Sequence, residues 1–383
     1  MVIKVLHLGK FCPPFKGGIE TVIQELLNLN IRDIKMTSFC FSDKKISKDD
    51  DLSSQYISSP ISYQYKSQPI SIRLFLSIFR KAHSFDIIHL HFPNIQASII
   101  LMLLKLFFKK ICIIHWHADI LNRGLMGLLV SPIVRLSLIM CDKVICTSEE
   151  YFLASKALKD FREKIKIIPI GIQDPTKIEY EKKESIAKAQ SKFNFHKENI
   201  NILSVGRLVE YKDYNTIIEA ARIVDTRYKF FIVGDGPLFE SLTKKINKYN
   251  LRDKVILLGS VSDSEISYIF SKSNIFCLAS NSRAEAFGVV LIEAMSREIP
   301  IISSRIPGSG VNFVSIENET GLSFEVGNYN DLSNKIEMLG KNSTLRKQLG
   351  MSGRIRYKNF FSHKAQKKSY EVFYKSLMSE FNK

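Results

Sequence analysis

Hydrophobic and polar positions along the chain form two kinds of segment. Short apolar, β-branched runs alternate with longer stretches of helical periodicity, and the whole series occurs twice. The predicted strands cover 2–9, 34–41, 86–91, 111–117, 143–148 and 165–171 in the first half, and 201–208, 229–235, 254–260, 274–280, 299–304 and 321–326 in the second. Such alternation is typical of βαβ units and of parallel sheets with helices on both faces. The pattern predicts an α/β protein with two Rossmann-like, doubly wound parallel-sheet domains.

The predicted domain boundaries follow from the segment between the two series. Residues 172–198 are polar and charged, which predicts a linker followed by a surface helix. We expect a Rossmann-like domain at 1–171, a second at 172–360, and a C-terminal helix at 361–383 that returns to the first domain. Two open sheets that face each other across a cleft bind ligands at the C-terminal ends of their strands. Functional residues are therefore expected in the loops that follow strands.

Charge and hydropathy limit the partners and the compartment. The formal net charge of +17 suits anionic partners such as phosphorylated substrates or acidic lipid. No nucleic-acid partner is predicted, because zinc-finger spacing, RNP-type motifs and basic–aromatic repeats are absent from the sequence. The N-terminus enters a strand without a cleavable signal pattern. Lysines interrupt the apolar stretch 94–117, so we expect a buried helix and a strand there rather than a membrane span.

Two basic amphipathic segments allow two interpretations. Residues 71–83 and 122–140 mix large apolar side chains with basic ones, which are Arg73, Arg80, Lys81, Arg123 and Arg135. Helices of this composition can lie on an anionic membrane. They can equally pack on a sheet while their arginine side chains reach the solvent.

Cysteine usage favours a reducing compartment. The six cysteines form no CxxC pair, and several lie in apolar strand-like runs, where free cysteine behaves as a small hydrophobic residue. We therefore expect free thiols and a cytosolic protein.

The stretch "RAEAFGVVLIEAM" (283–295) carries the most specific candidate site. It predicts a loop that runs into a helix, with Glu285 where the helix opens and Glu293 eight residues later. Phe287, Gly288 and Val289 have no side-chain acceptor, so their backbone N–H groups are free for an anion. A carboxylate at Glu293 can accept hydrogen bonds from a diol such as ribose. A buried helix with two solvated glutamates explains these residues equally well.

Further candidates follow three other predicted strands. Gly17 and Gly18 precede a helix, where glycines let a ligand approach backbone N–H groups, although a simple turn is the alternative. In "HWHADI", His115, His117 and Asp119 alternate and should share one face of an extended segment. The sequence has no HExxH motif or cysteine cluster that would accompany these residues in a metal site. We expect His117 to contact a sugar or act as a general base, with a core histidine as the alternative.

A basic pair opens the second series of strands. Arg207 follows a strand, and Lys212 stands at the entrance of the next helix. Two fixed cations in this position can hold a diphosphate in place of a metal ion. A solvated basic loop is the alternative.

Together these motifs resemble retaining GT-B nucleotide-sugar glycosyltransferases of family four. The resemblance runs from "LGKFCPPFKGGIE" through "HWHADI", "GRLVEYKD", "VGDGP" and "SRAEAFGVVLIEAM" to "GLSFEVGNYNDL". It implies that Glu285 contacts the donor sugar and that Glu293 holds the ribose. It also implies that Arg207 and Lys212 bind the diphosphate, that Gly17 and Gly18 form the glycine loop, and that His117 is the active-site histidine. The implied catalytic set is His117, Glu285, Arg207 and Lys212.

The resemblance also implies a reaction. A hexose, with mannose or rhamnose favoured, would move from a nucleoside diphosphate sugar to a glycan acceptor, lipid-linked, in the synthesis of a surface polysaccharide such as O-antigen or lipopolysaccharide. No metal or other cofactor is expected, and the enzyme would be cytoplasmic, peripheral on the inner face of the membrane. A GT-B epimerase and a non-catalytic nucleotide-sugar-binding partner are the alternatives.

Two positions depart from the family pattern. Ile170 stands where Asn or Asp usually precedes a glycine at the domain junction, and "SSRIPGSG" (303–310) replaces the commoner Asp-x-Gly-Gly loop. Contacts near this second loop cannot be carried over from the family.

Overall fold

The structure is a computed structural model that describes residues 2–13, 15, 17–42, 55–65, 68–120, 124–176, 193, 195–196 and 198–381. The chain divides into two compact units, Met1–Gly171 with His363–Lys383, and Ile172–Ser362. Each unit contains one large parallel sheet with helices between its strands. The predicted α/β class with two parallel-sheet domains is confirmed.

The first unit is built on a seven-stranded sheet among the described residues. Its strands are β1 (Ile3–Phe11), β2 (Ile34–Phe41), β3 (Tyr56–Ser59), β6 (Ile87–Phe92), β7 (Ile111–Trp116), β8 (Lys143–Cys146) and β9 (Ile165–Ile167), in the order β3-β2-β1-β6-β7-β8-β9. A small antiparallel hairpin joins β4 (Tyr63–Tyr65) and β5 (Gln68–Ile70). The helices before the domain junction are α1 (Gly18–Leu27), α2 (Ile72–Lys81), α3 (Ile95–Phe108), α4 (Gly124–Met140) and α5 (Glu149–Ala154).

The second unit has a six-stranded parallel sheet in the part of the chain that the structure describes. Its strands β10 (Ile200–Val205), β11 (Tyr228–Val233), β12 (Val255–Gly259), β13 (Ile275–Leu278), β14 (Ile301–Ser304) and β15 (Gly321–Phe324) have the order β12-β11-β10-β13-β14-β15. Its helices are α6 (Tyr214–Ile223), α7 (Phe239–Lys248), α8 (Asp263–Ser271), α9 (Val289–Ser296), α10 (Val311–Val314), α11 (Tyr329–Lys341) and α12 (Ser343–Arg356). The strand order reverses at β10 and β13, which is the position where open sheets of this type bind ligands.

All twelve predicted strands are present, with ends that differ by a few residues. The largest difference is at β9, which ends at Ile167 where the pattern predicted a strand to residue 171. Strands β3, β4 and β5 were not predicted, because they are three or four residues long and lack a continuous apolar run. The predicted surface helix between 172 and 198 lies mostly outside the described residues.

Burial on both faces explains why polar and apolar residues do not alternate along the central strands. Every residue of β6 and β7 is buried, as expected for parallel strands covered on both faces. In the second unit, Ile202, Phe230, Ile275 and Ile302 come from four neighbouring strands and share one hydrophobic core.

The chain ends with α13 (His363–Phe381), which belongs to the first unit. Its inward side buries Tyr370, Phe373, Tyr374 and Leu377. The Tyr374 hydroxyl lies 2.7 Å from Nδ1 of His89 on β6. The helix therefore packs on the face of the sheet that carries this histidine.

The two basic amphipathic segments form α2 and α4. Arg73, Arg80 and Lys81 on α2 are exposed, whereas Arg135 on α4 donates a hydrogen bond to Asp160 at 3.0 Å. Arg123 lies outside the described residues. No helix in the described part of the chain is long and apolar enough to cross a bilayer.

The expectation that all six cysteines are free is wrong for two of them. Cys12, after β1, and Cys40, on the neighbouring β2, form a disulfide across 28 residues of sequence. The other four, Cys112, Cys141, Cys146 and Cys277, are free and buried. Pairing of adjacent parallel strands brings the first two together, and the spacing of cysteines along the chain does not reveal it. Cysteine usage therefore no longer argues for a reducing compartment.

Candidate functional site

A buried ion pair lies at the reversal point of the second sheet. Lys212 ends a 3₁₀ turn after β10, and Glu285 lies in the loop after β13, the strand that pairs with β10. Lys212 Nζ donates a hydrogen bond to Glu285 Oε2 at 2.5 Å, and Ser280 Oγ donates to the same oxygen at 3.0 Å. The structure thus brings together two residues that the sequence predicted in separate motifs.

The ion pair determines the protonation of the lysine. Burial by itself lowers the pKa of Lys212, but the charge of the Glu285 carboxylate and its hydrogen bond outweigh burial, and the pKa of Lys212 is raised. The ammonium therefore stays charged at neutral pH. Lys212 has three N–H donors, so it can bond to a second anion while it holds Glu285.

The loop that departs from the family pattern supports the backbone around Glu285. Ser309 Oγ donates a hydrogen bond to the Glu285 carbonyl oxygen, and the Gly310 N–H donates to the carbonyl oxygen of Ala286 at 2.9 Å. Ser304 Oγ donates to the carbonyl oxygen of Ser280, the residue whose side chain contacts Glu285. Residues 303–310 therefore hold the loop of Glu285 in place, a role that the sequence did not indicate.

The helix after Glu285 begins later than predicted. Helix α9 begins at Val289, so Glu285 lies in the preceding loop and not in the first helical turn. Gly288 adopts a left-handed backbone conformation, with φ of 80°, immediately before the helix, and no side chain caps that end. This conformation costs a glycine little and turns the chain into the helix. Glu293 lies one turn further along α9 and is half-buried.

Arg207 follows β10, as predicted, and is exposed. Among the described residues the structure gives its guanidinium no hydrogen bond or ion pair. Burial raises the pKa of Tyr211, the neighbour of Lys212, and the positive charge of Arg207 acts against this rise. The positive charge of Arg207 is therefore available to a ligand, on the same strand-to-helix connection as Lys212.

The glycine pair lies in the first unit at the start of α1. Gly17 is the N-cap residue and α1 begins at Gly18. The Glu20 carboxylate occupies the space that a Cβ on Gly17 would need, whereas the side of Gly18 is open. Burial raises the pKa of Glu20. Hydrogen bonds from the backbone N–H groups of Glu20 and Phe11 lower it, as does the positive charge of Lys10, but burial has the larger effect. An acidic side chain therefore already lies against this helix N-terminus.

His117 follows the last residue of β7 in the first unit. Its ring stacks on His115, with ring centroids 4.0 Å apart, and its Nε2 lies 2.9 Å from Nδ1 of His91. Burial lowers the pKa of His117 to about 3, so the ring is neutral at pH 7. His117 is thus buried at the end of a strand, beside two other histidine rings.

The prediction that Asp119 shares a face with His115 and His117 is wrong. Strand β7 ends at Trp116, and the chain then leaves the extended conformation. Asp119 Oδ1 accepts hydrogen bonds from Trp116 Nε1 at 2.9 Å and from Ser155 Oγ at 2.7 Å. Asp119 is therefore a structural acceptor for the strand end.

Two histidine triads deserve a test as metal sites. The ring nitrogens of His7, His89 and His91, and those of His91, His115 and His117, lie within 4.8 Å of one another. Neither triad includes a carboxylate or thiolate, and the rings stack on and hydrogen-bond to each other. A divalent ion would bring uncompensated charge into a fully buried site, which is strongly unfavourable. The hydrogen bonds between the rings also occupy nitrogens that a metal ion would need.

Comparison with known proteins agrees with the fold and the motifs. Residues 16–174 match the family described as Glycosyltransferase Family 4, and residues 185–356 match the family described as Glycosyl transferases group 1. D-rhamnosyltransferase WbpZ of Pseudomonas aeruginosa is 26% identical over 303 residues, which cover 78% of this chain and 76% of that protein. O-antigen chain mannosyltransferase C of Escherichia coli is 24% identical over 382 residues, which cover 98% of this chain and 99% of that protein.

A solved structure shares the whole fold. The crystal structure of Anabaena HepE in complex with UDP and glucose has a TM-score of 0.78 and 17% sequence identity, and the match covers 98% of this chain and 100% of that chain. The two sheets and these matches define a GT-B glycosyltransferase. Within that class the chain belongs to the family 4 type, in agreement with the resemblance of its motifs.

Proposed function

We propose that this glycosyltransferase moves a hexose from a nucleoside diphosphate sugar to a glycan acceptor with retention of configuration at the anomeric carbon. The buried Lys212–Glu285 pair at the reversal point of the second sheet is the observation that supports this most. It places a charged donor and a charged acceptor side by side in a partly desolvated loop. A donor with an anionic diphosphate and a hydroxyl-rich sugar needs both.

Donor binding assigns a role to each group of the second unit. Lys212 and the exposed Arg207 bind the diphosphate, and the open N-terminus of α9 adds backbone N–H donors. Glu285 keeps Lys212 as its partner and accepts hydrogen bonds from the sugar hydroxyls. Glu293 accepts those of the ribose, as the family resemblance implies.

The chemical step depends on stabilising the leaving group. The bond between the anomeric carbon and the diphosphate oxygen breaks, and positive charge develops on the sugar. Arg207, Lys212 and the helix N-terminus stabilise the negative charge that develops on the diphosphate. The acceptor hydroxyl oxygen attacks from the same face, and its proton passes to the departing phosphate oxygen.

A double displacement through Glu285 is disfavoured. Both Lys212 and Ser280 donate hydrogen bonds to Glu285 Oε2. A carboxylate that is neutralised and hydrogen-bonded in this way is a weak nucleophile. His117, in the first unit, orients the sugar or the acceptor. The two cations supply the charge that a metal ion would otherwise provide, so turnover should continue in excess chelator.

The relatives suggest the sugar and the pathway. One is named a D-rhamnosyltransferase and another an O-antigen chain mannosyltransferase, each at about a quarter identity. We therefore favour mannose or rhamnose as the hexose and a surface polysaccharide such as O-antigen as the product.

A surface of the first unit supports a lipid-linked acceptor. The side chains of Ile72 and Leu76 on α2 are apolar and exposed, and Phe107 at the end of α3 contacts Phe79 near the end of α2. Exposed basic residues surround them. We define the α2 surface as Ile72, Arg73, Leu76, Arg80, Lys81, Leu106 and Phe107. Mixed apolar and basic character of this kind is complementary to the anionic inner face of the cytoplasmic membrane.

The alternatives are an epimerase and a non-catalytic partner. An epimerase would release free nucleoside diphosphate without an acceptor. A non-catalytic partner has no need to keep a charged Lys212 next to Glu285, and this chain retains both together with Arg207 and Glu293.

A ligand screen followed by a transfer assay tests the proposal. Thermal shift with UDP-, GDP-, ADP- and dTDP-sugars identifies the donor, because a ligand that binds the folded state raises its melting temperature. The expected result is a gain of one hexose in the acceptor mass, in the α or β configuration of the donor, with or without chelator. Sugar release or isomerisation without acceptor would favour the epimerase. Activity that is lost with chelator and restored by magnesium or manganese would contradict the metal-independent step.

A further inference from the structure

Five buried histidines lie on three adjacent strands of the first sheet. His7 on β1 is in register with His89 on β6, and His91 on β6 is in register with His115 on β7. His117 follows one position past the end of β7. The four strand histidines are at most 1% exposed, and His117 is 7% exposed. His117 is therefore the outermost ring of the cluster.

Three of the rings form a hydrogen-bonded chain. His7 Nδ1 lies 2.9 Å from His91 Nε2, and His91 Nδ1 lies 2.9 Å from His117 Nε2. A neutral imidazole carries one N–H and one acceptor nitrogen. His91 must therefore donate at one end and accept at the other, so both hydrogen bonds run in the same direction. The tautomer of each ring dictates the tautomer of the other two.

The buried end of the chain distinguishes the two directions. His7 Nε2 is buried and has no hydrogen-bond partner among the described residues. If the chain ran inward from His117, His7 Nε2 would carry a buried N–H without an acceptor. If it ran outward, the same atom would be an unused lone pair. Orphaned buried N–H groups are the rarer and more costly case in proteins.

We propose that His91 is a positioning residue that holds His117 in the tautomer with its proton on Nδ1, and that His7 closes the chain at an inner end that offers no acceptor. Each ring of the chain then donates outward from Nδ1, and His117 presents an N–H donor at its outer end. The inference rests on the proposed function, in which His117 contacts the sugar or the acceptor. It decides between the two roles predicted for that residue. His117 donates a hydrogen bond to a substrate oxygen and does not act as a base, because its acceptor nitrogen is bonded to His91.

The tautomer can be measured without any transfer assay. The full chain is labelled with ¹⁵N-histidine, and a long-range ¹H–¹⁵N correlation spectrum at pH 7 distinguishes protonated from unprotonated ring nitrogens. The signals of His117 are assigned by their loss in His117→Gln. The expected result is a protonated Nδ1 and an unprotonated Nε2. Imidazole in water prefers the other tautomer, so this result would identify the chain as its cause.

Variants separate the chain from general packing. In His7→Phe the inner end of the chain becomes His91 Nε2, which again has no acceptor, so His117 should keep its proton on Nδ1. His7→Met instead offers His91 Nε2 an acceptor that cannot donate, so His117 should shift toward the Nε2–H tautomer. His89→Phe is the matched control, because His89 is equally buried in the same cluster but bonds to Tyr374 and not to the chain. It should leave the His117 tautomer unchanged.

Activity provides a second readout. We expect His7→Met to lower kcat by roughly 10- to 100-fold, the range for losing the orientation of a functional histidine, whereas His7→Phe should stay within about threefold of the wild type. A wild-type spectrum at pH 7 in which His117 carries its proton on Nε2, or carries protons on both nitrogens, would overturn the inference. This holds even if every variant fails to fold. A shift to Nε2–H in folded His7→Phe, or no shift in folded His7→Met, would overturn it as well. The proposed function would fail separately, by absence of transfer from a wild-type protein that shows the expected tautomer.

Discussion

Lys212 and Glu285 are 73 residues apart in sequence and form a buried ion pair with a Nζ–Oε2 distance of 2.5 Å. Their side chains are each about 10% exposed. The pair exists because β10 and β13 are neighbours in the sheet, so the loops that follow them meet at one edge. The donor site is therefore assembled by strand order rather than by a contiguous motif.

The first prediction concerns the stability that this pair provides. Lys212→Met should destabilise the protein by about 3–5 kcal/mol, because it leaves Glu285 charged and unpaired in a buried site. The double variant with Glu285→Gln should recover much of this loss, since no unpaired charge then remains. Differential scanning calorimetry gives the order of melting temperatures. Lys254→Met is the control for removing a buried lysine, because Lys254 bonds to the Val224 carbonyl oxygen and forms no ion pair with a carboxylate in the part of the chain that the structure describes. A double variant less stable than Lys212→Met would contradict the account.

The second prediction concerns the backbone at Gly288. Its φ of 80° is unfavourable for alanine, so Gly288→Ala should cost roughly 1–2 kcal/mol. Gly327 has a similar φ of 74°, with open space around its missing Cβ, and is a matched control. Both variants should lose stability in thermal melts, Gly288→Ala the more, because its Cβ would also lie 3.0 Å from Leu291 Cδ1. Only Gly288→Ala should also weaken donor binding in calorimetric titration, because it alone alters the start of α9. Equal donor affinity in the two variants would show that the backbone at Gly288 does not contribute to donor binding.

The third prediction concerns acid stability. Burial lowers the pKa of both His7 and His117 to about 3. Between about pH 6.5 and pH 3 the unfolded chain binds protons that the folded rings do not. Each such ring therefore lowers stability as pH falls, by up to about 1.4 kcal/mol per pH unit. His7→Phe should make the fall in melting temperature between pH 6.5 and pH 4.5 shallower. The exposed His83, changed to Gln, is the control and should leave the slope unchanged. A slope in His7→Phe as steep as that of the wild type would show that His7 is protonated in the fold.

The fourth prediction concerns the α2 surface. Each Lys or Arg near an anionic bilayer contributes about 1 kcal/mol, so several together give reversible binding that salt weakens. The protein should sediment with anionic vesicles at low salt, less at high salt, and not with neutral vesicles. Reversing Arg73, Arg80 and Lys81 to Glu should abolish sedimentation.

A matched triple variant controls for the loss of net charge. Lys244, Lys248 and Arg252 are exposed basic residues of the second unit, and their reversal should leave vesicle binding largely intact. Equal loss in both triple variants would mean that net charge alone causes binding. Recovery of the wild type in the supernatant under every condition would leave a protein without membrane affinity.

The fold was largely predictable because apolar runs of four to eight residues mark buried parallel strands. All twelve such runs became strands, and "IKMTSFCF" became β2 with the predicted bounds. The runs at β3 to β5 were missed, since a strand of three or four residues at a sheet edge leaves no clear pattern. The start of α9 was also placed too early. The turn at Gly288 depends on a left-handed φ that the sequence does not display.

The site was predictable as separate motifs but not as contacts. Arg207, Lys212, Glu285 and Glu293 stand out by type and spacing, yet the meeting of Lys212 with Glu285 requires the strand order. The same limit applies to Cys12 with Cys40, and to the chain from His7 to His117. A pattern such as "HLHF" at 89–92 is a visible signal once three strands are known to be adjacent. The support that Ser309 gives to Glu285 had no sequence signal at all.

The central claim is that Arg207 and Lys212 stabilise the departing diphosphate, and kcat/KM for the donor tests it most directly. The assay compares the wild type with Arg207→Ala and Lys212→Ala, and with the control variants Arg252→Ala and Lys254→Ala. We predict that each site variant loses roughly 30- to 900-fold, which corresponds to about 2–4 kcal/mol of transition-state stabilisation. The controls should stay within about threefold of the wild type, since both residues lie away from the site. Full turnover by properly folded Arg207→Ala or Lys212→Ala protein would contradict the account.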